Sequence, residues 1–167
     1  ITTVKKMIKH DEIKNIIKII EECSMVALTF YKQKHLEVSI KDDNSPVTKA
    51  DLEISRIATN KLSEMFPNDK IISEENITNL NEVDMTKYWL IDPIDGTKEF
   101  ITKSNFFTIN FALISNNKPV FGIICQPTTS SIWFNNNNRA YKIKRTYNIL
   151  DAKELNPKTI NYNKLNM

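Results

Sequence analysis

Only two glycines, Gly96 and Gly122, occur in the 167 residues of this chain, so a glycine set beside two carboxylates straight after an apolar run calls for a reason. Cysteine is as scarce. Cys23 falls in a helical pattern and Cys125 in a strand pattern, which excludes metal-ligand spacing and a disulfide framework. The two read as buried free thiols in a reducing compartment. No apolar run approaches the ~20 residues that span a membrane, and no signal peptide is visible. The chain starts at Ile1 rather than Met, which leaves upstream trimming or mistranslation open. The expectation is a cytoplasmic protein, with a peripheral place at the inner membrane as the alternative. An excess of one charge is missing too. The formal balance is only +3, with no dense basic stripe, which speaks against a nucleic-acid chain as partner. A small anionic substrate fits that balance equally well. His10 and His35 lie in charged stretches and offer no catalytic pair. Ser24 and Ser73 have no evident base nearby, so nucleophilic serine chemistry has no support.

What is present is a globular pattern. The length suits one domain or slightly more, and 41% apolar residues can fill a real core. Ile13, Ile16, Ile17, Ile20, Cys23, Ala27 and Tyr31 keep helical spacing, which predicts a long helix capped by Asp11 and ending near Lys34. Asn44-Ser45-Pro46 is turn chemistry. Thr48 to Asp51 opens a second helix with Ile54, Ile57, Ala58, Leu62 and Met65 as its buried stripe, stopped by Pro67-Asn68-Asp69. Strands follow at Lys70–Ser73, Tyr88–Ile91, Phe106–Ser115, Val120–Gln126, Ser131–Phe134 and Arg139–Ile143. Turns are expected at Asn116 to Pro119 and at Asn135 to Asn138. Trp89 and Trp133 fall on strand patterns and read as core. Asp151 to Met167 shows no period and reads as a tail or linker. Two helices and then hairpin-connected strands predict an α+β fold, with the helices packed on a mainly antiparallel sheet.

The glycine belongs to WLIDPIDGTKEFI, Trp89 to Ile101. Asp92 ends a buried strand, Pro93 is expected to stop the ladder, Asp95-Gly96 turns the chain, and Thr97 begins a short helix through Lys103. Free N–H groups at that helix start would attract an anion, and Gly96 would let a bulky oxyanion approach the backbone. Asp-Pro and Asp-Gly are also ordinary turn dipeptides, and Asp95 can serve merely as a cap. Glu74-Glu75 closes another strand, and Asp51 opens a helix, where Thr48-x-x-Asp51 can equally be a capping box. Acidic stations converging beside an anion-binding turn suit hard divalent cations such as Mg2+, and two such ions can serve an in-line displacement.

DNSPVTKAD (Asp43 to Asp51), ISEE (Ile72 to Glu75) and WLIDPIDGTKEFI together resemble the metal-dependent phosphatases of the inositol monophosphatase superfamily. Within it the chain is most similar to the CysQ-type 3'(2'),5'-bisphosphate nucleotidases. Inositol monophosphatases more often carry Asn where Lys98-Glu99 precedes Phe100. The similarity runs from about Ile13 to Ile143.

The resemblance implies the first domain of the inositol monophosphatase and sugar phosphatase fold, over residues 1–145, with 146–167 as tail or linker. It implies Glu74, Asp92, Asp95 and the Ile94 carbonyl as metal ligands for Mg2+, with lithium sensitivity. Asp51 and Thr97 would orient and deprotonate the attacking water, and the Gly96 and Thr97 amides would hold the scissile phosphate. The implied substrate is adenosine 3',5'-bisphosphate, with Glu74, Ile94 and Asp95 also lining its site; the implied products are AMP and phosphate. The family's second α/β domain carries a W-D-x-A-A-G element with a further metal-binding aspartate. Nothing like it occurs in this sequence, which reads as the first domain of such an enzyme, whether a fragment, a split gene or a decaying one, with a separately encoded C-terminal half as a candidate partner. The alternatives are an inositol monophosphatase-like activity or a silent remnant that binds only a metal or a partner.

Overall fold

The isoleucine stripe near the N-terminus forms α1, His10–Tyr31. Asp11 is not its cap. Lys9 occupies the cap position, and its backbone N–H donates to the Glu12 carboxylate at 2.6 Å. Asp11 lies inside the first turn, where its charge still favours the helix. The helix stops three residues short of Lys34, with Lys32 as its C-cap. The protein is described as a computed structural model, covering residues 8–41, 45–76, 86–144 and 146–156. The expected turn at Asn44 lies partly outside these residues.

A small antiparallel pair, β1 (Val38–Ile40) and β2 (Pro46–Thr48), leads into α2, Lys49–Met65. Among the described residues seven further strands make one sheet. They are β3 (Lys70–Ser73), β4 (Lys87–Asp95), β5 (Thr108–Ser115), β6 (Lys118–Gln126), β7 (Ser131–Asn136), β8 (Arg139–Lys144) and β9 (Lys153–Leu155), adjacent in that order. Only β3 and β4 run parallel; every other neighbouring pair is antiparallel. The expected α+β arrangement is therefore what forms, with α3 (Thr97–Ile101) as a short third helix.

One sheet face carries the core. Ile13, Ile16 and Ile20 of α1 and Ile54, Ala58 and Leu62 of α2 are fully enclosed with Trp89, Ile91, Phe111, Leu113 and Ile123. Trp89 stacks on Phe66 at 5.1 Å between ring centroids. Trp133 does not join them. It alternates onto the other face, where Lys142 Nζ stands 4.5 Å from its ring.

Among the described residues nothing covers that second face. Leu90, Ala112, Ile124, Trp133 and Leu155 line a shallow apolar groove of about 660 Å³, which reaches Asp92 and Asn110 at β4 and β5. Leu90, Ile124 and Leu155 are 40%, 44% and 40% exposed.

The hairpins are tighter than expected. Asn116 and Asn117 alone make the β5–β6 turn, both with positive φ, and Lys118 already pairs with Ser115. Asn137 and Asn138 do the same between β7 and β8. Asn135 is in β7, where its side chain accepts the Gly122 N–H at 2.6 Å and so ties two strands together. Phe106 precedes β5 instead of opening it and is 78% exposed.

Residues 151–156 are not a loose tail. A 3-10 turn at Ile149–Asp151 leads into β9, which pairs with β8 through Ala140↔Leu155 and Tyr141↔Glu154. Three residues are too few to show a period, which is why the strand was not legible. Residues 157–167 of the expected tail lie outside the described residues. Among the described residues no helix is long and apolar enough to cross a membrane.

Candidate functional site

β4 does not stop at Pro93. Its pairing with β5 reaches Asp92↔Asn110 and resumes at Asp95↔Thr108, which leaves one extra residue on β4. A proline has no N–H to give the ladder, and a bulge is the usual way a strand carries one. The bulge re-aims the two aspartates. Asp95 is exposed, and Asn110 Nδ2 donates to its Oδ2 at 3.1 Å. Asp92 is half-buried, and its Oδ1 is enclosed with no hydrogen-bond partner among the described residues.

Gly96 follows at φ +89, where side chains are strained. A Cβ there would stand 3.0 Å from the Phe106 carbonyl oxygen. The space that its missing side chain leaves is therefore taken by neighbouring backbone, a close approach within the chain that requires glycine here. α3 is five residues long and not the seven expected, so its dipole is small.

Asp51 combines both readings offered for it. Its Oδ2 accepts the Thr48 N–H at 2.8 Å and the Thr48 hydroxyl at 2.5 Å, the capping interaction. Its Oδ1 faces Thr97 Oγ1 at 3.5 Å, and the Thr97 hydroxyl also donates to the Ile94 carbonyl at 3.1 Å. The side chain is buried, which raises its proton affinity against the lowering effect of the Thr48 hydrogen bonds. Below it, Ser55 Oγ donates to Ser73 Oγ at 2.7 Å, and Asn76 Nδ2 donates to Ser55 at 3.3 Å. These bonds pin the 3-10 turn Glu74–Asn76 to α2. Ser73 is thus structural.

Burial pushes the Asp92 carboxyl up to about 7, and the charges of Glu74 and Asp95, with Asp51 behind them, push the same way. The acids therefore converge on Asp92. They do not form a finished cage. Among the described residues no three His, Cys, Asp or Glu side chains stand close enough to hold one ion. Glu74 is turned toward Lys41, whose ammonium donates to Glu74 at 3.0 Å and to Glu75 at 2.7 Å.

Residues 9–160 match the model of the inositol monophosphatase family. The chain belongs to the inositol monophosphatase family. Relatives include a 3'(2'),5'-bisphosphate nucleotidase CysQ of Haemophilus influenzae, 43% identical over 107 residues, covering 63% of this chain and 39% of that protein. The Escherichia coli K12 protein of the same name is 34% identical over 125 residues, covering 72% and 51%. Among solved structures, CysQ of Bacteroides thetaiotaomicron superposes with a TM-score of 0.73 at 26% identity, covering 89% and 58%. An IMPase/NADP phosphatase complexed with Mg2+ and phosphate shares the fold, with a TM-score of 0.69 at 20% identity, covering 80% and 52%. The chain spans about half the length of the curated relatives it matches.

Within this family member, the candidate site acids Asp51, Glu74, Asp92 and Asp95 lie in one region, on the ends of β3, β4 and α2. Two neighbours join the site without a signal in the sequence. Asn110 holds Asp95, and its strand alternation gave no reason to separate it from an ordinary surface residue. Lys41 reaches the site from the end of the small hairpin, across 33 residues of sequence, which no local pattern reports.

Proposed function

We propose that this chain carries the acidic centre of a Mg2+-dependent phosphatase that removes the 3'-phosphate of adenosine 3',5'-bisphosphate, giving AMP and phosphate. The carrying observation is Asp92, a carboxyl with one enclosed, unpartnered oxygen, raised to about 7 among Glu74, Asp95 and Asp51. A hard cation with oxygen ligands relieves such crowding. Glu74, Asp92, Asp95 and the Ile94 carbonyl are the residues that would hold it. Bound there, it would neutralise phosphate charge and raise the acidity of water.

The chain's own groups do the rest. Thr97 Oγ1, between the Ile94 carbonyl and Asp51 Oδ1, orients the attacking water and passes its proton toward Asp51. Burial makes Asp51 a better proton acceptor than a free carboxylate. The Gly96 and Thr97 amides hold phosphate oxygens in line. A bond forms from the water oxygen to phosphorus as the bond to the ribose 3'-oxygen breaks; that oxygen takes a proton from solvent water and leaves as the hydroxyl, and Asp51 returns the proton it accepted to solvent. Such transfer rests mostly on positioning and charge neutralisation.

The W-D-x-A-A-G aspartate implied by the family would come from the stretch that relatives carry beyond the matched region, on this polypeptide or on a separately encoded chain. Turnover by these 167 residues alone is therefore expected to be low. A cytoplasmic location belongs to the same reading.

The test is phosphate release in Mg2+ from adenosine 3',5'-bisphosphate and from an inositol monophosphate, with Asp95→Asn as the blank. Slow release, faster from the nucleotide and lost in the blank, supports the proposal. Preference for the inositol phosphate would replace it with the monophosphatase reading. Equal release by chain and blank would leave only a silent remnant.

A further inference from the structure

Lys41 has no part in the roles assigned above. It follows β1 directly, and its backbone N–H donates to the Ser45 carbonyl at 2.9 Å, which braces the end of the small hairpin. Its side chain crosses to the turn after β3 and meets two unlike carboxylates. The Glu75 side chain is 5% exposed, whereas that of Glu74 is 48% exposed. A carboxylate as enclosed as Glu75 needs a lasting counter-charge, because an unpaired buried charge is strongly destabilising. Glu74 has solvent as an alternative and is the one that acts on Asp92. The same ammonium is felt by Asp51. Lys41 thus faces three of the acids from one position.

We propose that Lys41 is a tethered counter-cation of the acidic site, which stays on Glu75 and gives up Glu74 when a divalent cation binds. This rests on the metal reading above. An ammonium and a divalent ion compete for the same carboxylate and repel each other, so Lys41 opposes metal binding. In exchange it holds the turn after β3 against the small hairpin, and capture of Glu74 by metal is tied to that hairpin. Glu75 is the positioning residue that decides how far Lys41 can follow Glu74.

Direct Mn2+ titration by calorimetry tests this on the full chain. Lys41→Met should bind Mn2+ about tenfold more tightly, the order expected for removing one unit charge a few ångströms away at a partly solvated site. It should also melt lower in chelator, because Glu75 loses its partner. Lys41→Arg, which keeps the charge, should stay near wild type. Glu75→Gln should shift the ammonium wholly onto Glu74 and weaken Mn2+ binding severalfold. A purely structural lysine would not give these opposite signs. Equal or weaker Mn2+ binding by Lys41→Met overturns the proposal, and if that variant does not fold, a Glu75→Gln protein with undiminished binding does so. Binding that is lost in Asp95→Asn but unmoved in the Lys41 and Glu75 variants removes this inference and keeps the metal reading. No Mn2+ binding by the wild-type chain removes both.

Discussion

Asp92→Asn is expected to stabilise the fold in chelating buffer, by about 2 kcal/mol above pH 7.5 and by nothing near pH 3. The folded carboxyl titrates at about 7 against an ordinary 3.8. Between those values the folded chain keeps a proton that the unfolded chain has already released, so stability falls as pH rises through this window. Above it the loss is constant, and below it there is none. Asparagine has no proton to lose and escapes the whole effect. A shift of this size corresponds to about 4 kcal/mol in full; the partial solvent access of Asp92 cuts that to roughly half. For a chain of this length the gain is on the order of 5 °C in Tm. Adding Mg2+ should raise the wild-type Tm by mass action and leave the variant nearly unmoved. Thermal melts from pH 3 to 8, with and without Mg2+, give the answer. A variant that matches wild type at pH 8 in chelator would refute the crowding of charges at Asp92.

Gly96→Ala should cost about 3 kcal/mol of stability. Placing an L side chain in left-handed backbone costs about 1–2 kcal/mol. Its Cβ would also stand 3.0 Å from a backbone carbonyl that has no free rotor to move aside. The contrast is Gly122→Ala, whose Cβ would meet its nearest atom, Asn135 Oδ1, at an ordinary 3.8 Å. There alanine should be neutral or slightly stabilising, since strand glycine is itself unfavourable. Denaturant midpoints of the two variants separate the cases, and equal losses would mean that Gly96 is not the strained position.

Where local chemistry decided the outcome, the sequence was readable. β3 forms over the residues expected, because a short apolar run between Asp69 and Glu74 has no other use. α2 begins where Thr48 and Asp51 place its cap. The sequence is silent where geometry depends on a partner. Pro93 looked like the end of β4, yet β5 supplies a neighbour that a bulge can accommodate. Three residues of β9 become a strand only because β8 presents its edge. Gly96 was visible as special, but its reason, the Phe106 carbonyl, is set by a loop ten residues on. The acids could be found from their motif. Their electrostatics could not, because the burial of Asp92 and the reach of Lys41 belong to the folded chain.

The open sheet face has a practical consequence for the isolated chain. Leu90, Ile124 and Leu155 with the Trp133 ring make a flat apolar surface beside a short edge strand. Water is a poor solvent for such a surface, and at about 25 cal/mol for each Å² removed from it, pairing copies face to face is favourable once concentration offsets the entropy of association. The chain should therefore brighten a hydrophobic dye when dilute and scatter light increasingly as it is concentrated. Ile124→Glu, which sets a charge in the middle of the groove, should reduce both signals; a variant that leaves them unchanged would place the sticky surface elsewhere.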